Sequence, residues 1–370
     1  MSPRLNRRAL LHLAGLAPLI ARAQGALPVV RPGLEIELPR DLGAHPSYRI
    51  EWWYVTGALQ TPGEPQPYGF QVTFFRARSD VVARDAEAAH SRFAPSQLVF
   101  AHAAVTDLRA RRLLHEQRIA REGFGIAQAT VGDTSLALRD WRMQREGPLG
   151  KHVYSTRVDA SDAGFAYALQ FAATQPVLLQ GEAGYSRKGP RPEQASYYLS
   201  EPQLDVQGEL QLGTRRLPVR GRAWLDHEWS EQLLDPQAVG WDWIGMNLDD
   251  GSALTAFRLR RADGSTLWSG GSLRRAGGQA RAYADGELRF TPMRRWTSPA
   301  TRAVYPVQWT IHTPEGAFEV RSLLDDQELD SREAAGSVYW EGLSDLLDTQ
   351  GRRVGRGYLE MTGYAGALKL

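Results

Sequence analysis

The chain has 370 residues, of which 42% are apolar and 23% are charged, the balance of an ordinary globular protein rather than of a disordered or membrane-embedded one. It contains no cysteine, which excludes a disulfide framework, a thiolate metal site and a cysteine nucleophile. Without its first 23 residues, which carry four arginines and no acid, the chain would hold 40 basic against 42 acidic residues, so it has no basic excess for binding nucleic acid.

The N-terminus has the organisation of an export signal. The run Asn-Arg-Arg at 6–8 is followed by a moderately apolar segment at 9–20 and by Ala-Arg-Ala at 21–23, which predicts cleavage after Ala23. The apolar segment is too short to span a bilayer. The paired arginines favour the twin-arginine export route, with the general secretory route as the alternative. We therefore expect a periplasmic protein without a membrane segment in its mature chain.

Beyond residue 35 the sequence consists of short alternating apolar and polar runs separated by Gly, Pro, Asp and Asn. Residues 165–171 are one such run, and hairpin turns are indicated at 249–251 and 284–286. Helical periodicity is weak, and the best short candidate is 80–90. The pattern predicts an all-β protein built from sandwiches or barrels, with few short helices.

The predicted strands repeat in a conserved order along the chain. The matched segments are 51–59 with 240–248, 72–76 with 254–258, 196–198 with 338–340, and 221–226 with 355–360. Such order indicates two copies of one β unit, and the junction near 231–239 places the domains at 35–232 and 237–370. Chance similarity between Trp-rich strands is the alternative.

The repeat also predicts a structural role for two arginines at matching positions. Arg222 and Arg356 would each stack on a tryptophan from an early strand, Trp53 or Trp243, and close one end of a barrel. A barrel of about eight strands has room for one small apolar ligand.

The densest group of reactive side chains is Trp-Leu-Asp-His-Glu-Trp-Ser at 224–230. Alternate strand residues point to opposite faces, so Asp226 and Glu228 share one face and His227 and Trp229 share the other. A metal held by His227 and both acids would need a bulge, and we predict no metal. If one face lines a cavity, desolvation would shift a pKa there as acid–base catalysis requires. The alternative is a strand end whose polar side chains bind loop amides.

Other candidates are weaker. Aromatic and polar residues that would contact a ligand are Trp52, Tyr54, Trp241, Tyr185 and His45. The same aromatic rings could instead anchor the core. Asp242, between two tryptophans, is either a lone acid at a cavity mouth or a turn cap. No G-x-S-x-G elbow, H-E-x-x-H pair or phosphate-binding glycine loop is present, so no nucleotide, zinc or other cofactor is expected.

Three segments carry a family resemblance: His-Pro-x-Tyr-Arg-x-Glu-Trp-Trp-Tyr-Val-Thr-Gly at 45–57, Trp-Leu-Asp-His-Glu-Trp at 224–229 and Gly-Tyr-Leu-Glu-Met-Thr-Gly-Tyr at 357–364. The chain resembles the AttH-like, carotenoid 1,2-hydratase (hydroxyneurosporene synthase) superfamily over nearly all of its mature length. The resemblance implies two tandem lipocalin-like antiparallel β-barrels. It also implies a large apolar ligand: the hydratases add water to a carotenoid end-group double bond without a cofactor, and fungal relatives guide pericyclic ring closures.

The hydratase branch uses the His and Trp of its Asp-His-x-Trp motif, which are His227 and Trp229 here. It also uses a Tyr and an Asp two residues apart on a later strand. The corresponding strand here reads Phe-Arg-Leu at 257–259 and offers neither group, so the proton would have to come from Asp226, Glu228 or Asp242.

Three functions remain open at this stage. The first is acid-assisted chemistry on an apolar substrate such as hydration, for which His227→Ala would abolish turnover while folding survives. The second is a non-catalytic carrier of a lipid or other apolar ligand, which the resemblance associates with components of an ABC-type export system. The third is a structural or assembly role.

Overall fold

The structure is a computed structural model that describes residues 27–79, 96–232, 234–332 and 336–368. The export segment and the helix predicted at 80–90 lie outside the described residues. Within them the regular secondary structure is almost entirely β, with short 3₁₀ turns at Arg40–Leu42 and Ser161–Ala163. In this part of the chain no helix is long and apolar enough to cross a membrane.

The first half of the chain forms one antiparallel sheet. Its strands are β1 (Ile50–Gln60), β2 (Tyr68–Arg78), β3 (Gln97–Asp107), β4 (Arg112–Arg121), β5 (Ala127–Ala129), β6 (Ser135–Leu138), β7 (Trp141–Glu146), β8 (Val153–Ala160), β9 (Phe165–Ala172), β10 (Leu178–Leu179), β11 (Tyr185–Arg187), β12 (Ala195–Leu212) and β13 (Arg215–Gln232). They follow the order β4-β3-β2-β1-β13-β12-β9-β8-β7-β6-β5, with β10 and β11 paired to β12. The edge strand β4 also contacts β6, and β3 contacts the opposite edge strand β5, so the sheet curls nearly into a barrel.

The second half repeats this plan. Its strands are β14 (Gly240–Leu248), β15 (Ala253–Arg260), β16 (Thr266–Arg274), β17 (Ala280–Tyr283), β18 (Arg289–Pro292), β19 (Arg295–Thr297), β20 (Val304–Pro306), β21 (Gln308–Thr313), β22 (Gly316–Ser322), β23 (Glu328–Ser331), β24 (Ser337–Leu347) and β25 (Arg353–Thr362). The order is β17-β16-β15-β14-β25-β24-β22-β21-β18, with β23 paired to β24 and a separate β19-β20 ribbon. In both sheets the first long strand pairs with the last. The predicted all-β class with tandem lipocalin-like barrels is confirmed.

Equivalent positions of the two sheets carry equivalent ion pairs. Arg222 lies opposite Asp205 with a 2.6 Å contact, and Arg356 lies opposite Asp345 with a 2.7 Å contact. The prediction that these arginines stack on Trp53 and Trp243 is therefore wrong. An aspartate directly across the ladder is a nearer partner for a guanidinium than an indole on another strand.

Each barrel interior is filled by its own side chains. Inward-facing, fully buried residues of the first barrel include Trp53, Val55, Phe70, Trp141 and Leu225, and those of the second include Ile244, Met246, Trp309, Trp340 and Met361. Because these side chains pack where a lipocalin-like ligand would enter, the ligand site has to be sought elsewhere.

The outer faces of the two sheets pack against each other and form a seam. Strand β1 contacts β25, β2 contacts β24, and β13 contacts β14. Aromatic residues of both barrels meet there, among them Tyr54, Trp224, Trp243 and Tyr358. Gly69 permits this approach, because a Cβ at that position would lie 2.6 Å from the Tyr358 hydroxyl. The seam is thus a third apolar core, shared by both barrels.

An acidic cavity in the seam between the barrels

A cavity of about 160 Å³ opens within the seam, with walls from β1, β2, β3, β12 and β13 on one side and β14, β15, β24 and β25 on the other. Its lining is mainly aromatic and aliphatic. Four carboxylic acids interrupt this apolar surface: Asp226, Glu228, Glu341 and Glu360. The volume is close to that of an engineered apolar cavity of about 150 Å³ that binds benzene, so a single ring or a branched chain end fits.

Asp226 lies on β13 and points into the cavity. Its Oδ2 accepts a hydrogen bond from the Tyr198 hydroxyl at 2.7 Å, and its Oδ1 accepts from Ser200 Oγ at 2.5 Å and from Trp224 Nε1 at 2.6 Å. Burial raises the pKa of Asp226 to about 7 in spite of these three donors, and the charge of Glu228 acts in the same direction. A carboxyl group in this state exchanges its proton near neutral pH, as a general acid must.

Glu228 lies two residues further along the same face and is ion-paired. Lys188 Nζ lies 3.1 Å from Glu228 Oε1, and the Ser196 hydroxyl donates to the same oxygen. The ammonium also lies over the Tyr198 and Phe257 rings, at 4.6 Å and 4.2 Å from their centroids. The aromatic rings therefore position the ammonium group that contacts Glu228.

Glu341 and Glu360 face the cavity from the second barrel. They lie directly opposite each other on β24 and β25, a register that brings like charges together. Burial, followed by the charge of Glu360, raises the pKa of Glu341 well above its usual value. Burial raises the pKa of Glu360 to about 7, with Asp226 and Glu228 adding to it. The pair therefore retains one proton at neutral pH.

The two acidic walls occupy equivalent positions. Asp226 and Glu360 match in the internal repeat, and each pairs with the first strand of its own barrel. The same registers place Tyr198 opposite Glu228 and Tyr339 opposite Thr362, so Tyr198 corresponds to Tyr339. The sequence match of 196–198 with 338–340 is therefore wrong by one position, because the strand pairing places residue 198 with residue 339.

Aromatic side chains form the remainder of the walls. Trp52 and Tyr54 project from β1, and Trp241 and Trp243 project from the equivalent strand β14. Tyr54 packs edge-on against Trp243 with ring centroids 5.4 Å apart, and Trp243 Nε1 donates to the Tyr198 hydroxyl at 3.2 Å. Aromatic faces beside buried carboxylates stabilise positive charge.

A second hydrogen-bonded group closes the cavity between the barrels. Gln71 Nε2 donates to Glu341 Oε2 at 2.6 Å, and His102 Nδ1 lies 2.8 Å from the Tyr339 hydroxyl. The other ring nitrogen of His102 lies 2.6 Å from Ser331 Oγ. Burial lowers the pKa of His102 to about 3, so its imidazole is neutral.

His227 and Trp229 lie on the opposite face of β13 and do not line the cavity. His227 Nε2 is 2.8 Å from Glu51 Oε1, and its ring stacks on Trp53 with centroids 4.6 Å apart. Trp229 stacks on His45 at 3.8 Å. The separation of these residues from Asp226 and Glu228 follows the predicted alternation, but it places the motif histidine inside the first barrel rather than beside a ligand.

Glu51 is the centre of this inward-facing network. Its Oε1 is also 2.7 Å from His45 Nδ1, and its Oε2 accepts from Arg76 Nε at 2.9 Å. Burial alone would raise the pKa of Glu51, but hydrogen bonds from His227 and His45 outweigh it and lower that pKa. Burial lowers the pKa of His227, whereas Asp41 and Glu51 overcome burial and raise the pKa of His45.

The three residues His45, Glu51 and His227 carry side chains that can ligate a metal ion. Their ligand atoms lie within 4.8 Å of one another. However, the Arg76 guanidinium already neutralises Glu51, and each imidazole already uses one ring nitrogen to hydrogen-bond the Glu51 carboxylate. A divalent cation there would be repelled by Arg76, so the group fits a structural ion-pair network better than a metal centre.

Two further candidates also lie away from the cavity. Asp242 is fully buried inside the second barrel, where Arg258 Nε contacts it at 2.7 Å and the Tyr364 hydroxyl donates to it at 2.9 Å. It is neither a lone acid nor a turn cap, because β15 places an arginine directly opposite. Tyr185 packs beside Trp229 and donates to the Pro192 carbonyl at 2.5 Å. Neither side chain reaches the ligand space.

The structure therefore brings together half of the predicted site. Asp226, Glu228, Trp52, Tyr54 and Trp241 line the cavity. Sequence reasoning missed Glu341, Glu360, Tyr198 and Lys188. The match of 221–226 with 355–360 could have identified Glu360, since it aligns with Asp226. Glu341 and Lys188 have no comparable signal in the sequence, because strand register brings Glu341 to the cavity and a loop brings Lys188 there.

Comparison with known proteins gives a consistent result. A family model described as AttH-like matches residues 29–364. A Nitrosomonas europaea protein that carries the AttH designation has a crystal structure with a TM-score of 0.83 and 47% identity, over 91% of this chain and 100% of that one.

The second group of relatives is fungal. Kievitone hydratase from Fusarium solani subsp. phaseoli is 23% identical over 260 residues, which is 68% of this chain and 72% of the relative. The crystal structure of kievitone hydratase from Nectria haematococca has a TM-score of 0.67 and 16% identity, over 92% and 94% of the two chains, a likeness of fold.

Proposed function

The chain belongs to the AttH-like family, and from that premise we propose that it binds an apolar molecule in the seam cavity and hydrates a carbon–carbon double bond of it without a cofactor. One observation carries the proposal: the buried Asp226 carboxyl, with a pKa of about 7, faces an aromatic cavity. A weak acid held protonated in apolar surroundings is what protonation of an alkene requires.

The reaction begins with proton transfer from Asp226 to one alkene carbon, which leaves a cation on the more substituted carbon. The faces of Trp241 and Trp52, together with the carboxylates, stabilise that cation. Water then bonds to the cationic carbon and releases a proton to the Glu341–Glu360 pair. The Glu341–Glu360 pair then releases its added proton to solvent and Asp226 takes one up, so both are restored and the net change is addition of one water.

The relatives support this class of reaction. Kievitone hydratase is a hydratase by name, and it shares both the fold and recognisable sequence with this chain. Only one ring or an isoprenoid chain end fits the cavity, so the remainder of a large substrate would extend along the seam between β1 and β14. The hydroxyl and carboxylate that the carotenoid hydratases carry on a later strand are absent from 257–259, and the second barrel supplies carboxyl groups in their place.

The test uses purified protein, ¹⁸O-labelled water and a panel of alkenes from 2-phenylpropene to polyisoprenoids. We expect one or more alcohols that carry the label in wild type and none with Asp226→Asn, whereas Asp205→Asn, which removes an exposed carboxylate outside the cavity, retains activity. A retained apolar ligand without label in any product would overturn hydration and establish the carrier function, with its association with an ABC-type exporter as the next question.

We also propose export to the periplasm through the twin-arginine route, on the sequence of residues 6–23. The test is fractionation of cells that express the full chain. Arg7→Lys combined with Arg8→Lys should retain the protein in the cytoplasm; unchanged export would point to the general secretory route.

A further inference from the structure

A polar groove of about 1120 Å³ lies on the outer face of the first barrel. Strands β7, β8, β9, β12 and β13 and the end of β1 form it, and the described residues that line it are all different from those of the seam cavity. Three exposed arginines line the groove: Arg142, Arg157 and Arg220. Among the described residues of its lining there is no carboxylate and no aromatic ring. The groove is therefore a separate, positively charged site.

Strand register places most of the polar side chains of the groove in one row. From β7 to β1 the row consists of Gln144, Ser155, Gln170, Gln207, Arg220 and Gln60, each directly opposite the next. Neighbouring strands are about 4.8 Å apart, so the row is about 24 Å long. Amide and hydroxyl side chains both donate and accept hydrogen bonds. The row therefore matches an extended ligand that carries hydroxyl groups, rather than a single compact ion.

Beside this row two arginines face each other. Arg142 on β7 lies directly opposite Arg157 on β8. Like charges in this position repel each other, and an anion bound between them would remove the repulsion. The guanidinium of Arg142 is held in place, because it donates to the backbone carbonyls of Arg139 and Trp141. On the far side of Arg157 the ladder continues with Ala168, whose small side chain leaves the guanidinium open to a ligand.

The acids that flank the row on β12 already have partners outside the groove. Asp205 lies 2.6 Å from Arg222, and Glu209 lies 3.3 Å from Arg216. Within the part of the chain that the structure describes, none of the three groove arginines forms an ion pair. Arginine stays charged at any physiological pH. The groove thus offers three guanidinium groups to an anion from outside the protein.

We propose that the groove binds an acidic oligosaccharide, a chain of sugar units that carry carboxylate groups. A guanidinium group binds a carboxylate through two parallel hydrogen bonds, and the amides of the row match the sugar hydroxyls. Single-stranded nucleic acid fits less well, because its bases stack on aromatic rings, and the described lining has none. A membrane surface also fits less well, because the side chains that point out of this face include no large apolar group for the acyl chains.

This site goes beyond the proposed hydration and does not depend on it. The groove and the seam cavity lie in different places on the first barrel and have different linings. A bound glycan would therefore attach the protein to an acidic polysaccharide while the cavity stays open to its apolar ligand.

Isothermal titration calorimetry of the protein with tetragalacturonic acid tests the proposal, and the fully methyl-esterified tetramer is the uncharged control ligand. Wild type should bind the acid and not the ester. Arg157→Gln combined with Arg220→Gln should weaken binding of the acid at least about 10-fold. Raising the salt concentration from about 50 mM to about 200 mM should also weaken it.

The matched control is Arg289→Gln combined with Arg295→Gln, which removes the same charge from exposed positions on β18 and β19. It should leave the Kd within about twofold of wild type. The Tm of both double variants should stay within about 2 °C of wild type, because exposed side chains contribute little to stability. A weaker Kd in the groove variant therefore reports a lost contact and not a lost fold.

Three results would overturn the proposal: no binding of the acid by wild type, equal binding of acid and ester, or an unchanged Kd in the groove variant. Oligothymidylate and phosphatidylglycerol vesicles are measured in parallel. If either binds wild type more tightly than the acid does, and the groove variant loses that binding, the groove belongs to nucleic acid or to a membrane and the glycan is excluded.

Discussion

Asp226 and His227 are neighbours in the sequence, yet β13 sends their side chains into different compartments. Asp226 faces the seam cavity, whereas His227 bonds Glu51 inside the first barrel. The motif Asp-His-x-Trp therefore has two roles on one strand. The side chain of its Asp lines the cavity, and those of its His and Trp pack on the opposite face of β13.

This division predicts the outcome of replacing the histidine. His227→Ala should lower the free energy of unfolding by about 3 kcal/mol, because it empties a buried site and removes a bond to the Glu51 carboxylate. Chemical denaturation measures the loss. Binding of 2-phenylpropene should stay within about twofold of wild type once the variant is folded. An undiminished stability together with lost turnover would contradict the structural role and restore the direct one expected from the sequence.

Replacing Asp226 should have the opposite effect to replacing His227: it should abolish activity and raise the stability of the protein at alkaline pH. Its pKa rises from 3.8 to about 7 on folding, so the stability it contributes is present below pH 3.8 and is lost as the pH rises through 7. At pH 8, Asp226→Asn should therefore be more stable than wild type, by at most about 4 kcal/mol, while its hydration activity disappears. Thermal unfolding at pH 4 and pH 8 gives the comparison. A variant that is less stable by the same amount at both pH values would refute the raised pKa.

The rate of hydration should have a maximum near pH 7. Above that pH Asp226 loses the proton it has to donate, and below it the Glu341–Glu360 pair becomes fully protonated and cannot accept one. Turnover measured from pH 5 to 9 should fall on both sides. Glu360→Gln should remove the decline on the acid side specifically, and an unchanged acid limb would exclude the pair as the proton acceptor.

Acid should destabilise the seam through His102. Its pKa is about 3 in the folded protein against 6.5 when exposed, so the stability it contributes is complete above pH 6.5 and is lost progressively as the pH falls towards 3. We expect His102→Gln to move the midpoint of acid unfolding to lower pH. His312→Gln, at a half-exposed position on β21, is the control and should leave the midpoint unchanged. Equal shifts in both variants would contradict the assignment.

Removal of metal should have no effect on stability. Arg76 occupies the carboxylate of the His45–Glu51–His227 group, so dialysis against EDTA should leave Tm within about 1 °C of the untreated protein. Differential scanning calorimetry with and without zinc tests this. A rise of Tm with zinc that Glu51→Gln abolishes would show that the group binds a cation after all.

Much of the architecture could be predicted from the sequence, because strand alternation and turn residues are local properties. The alternation also separated Asp226 from His227 correctly, and the repeat paired Asp226 with Glu360. The position of the ligand site could not be predicted in the same way. Whether an outward face is exposed or covered depends on how the two barrels pack, and no local pattern records that.

The site residues that were predicted wrongly or missed also depend on contacts between distant parts of the chain. Asp242 was predicted to be a lone acid or a turn cap. It is instead buried in an ion pair with Arg258, which comes from the next strand. Glu341 becomes relevant only because the register of β24 and β25 sets it opposite Glu360. Such partners are determined by long-range pairing, which a single sequence specifies only weakly.

The location of the cavity on the outside of both barrels has an evolutionary consequence. The side chains that fill each barrel lie inside it, and those that line the cavity lie on the outer faces of the two sheets. Exchanges at positions such as Trp52, Trp241 or Glu360 therefore change the lining of the cavity and leave the packed interior of each barrel intact. A protein with this design can change the chemistry of its cavity at little risk to the stability of either barrel.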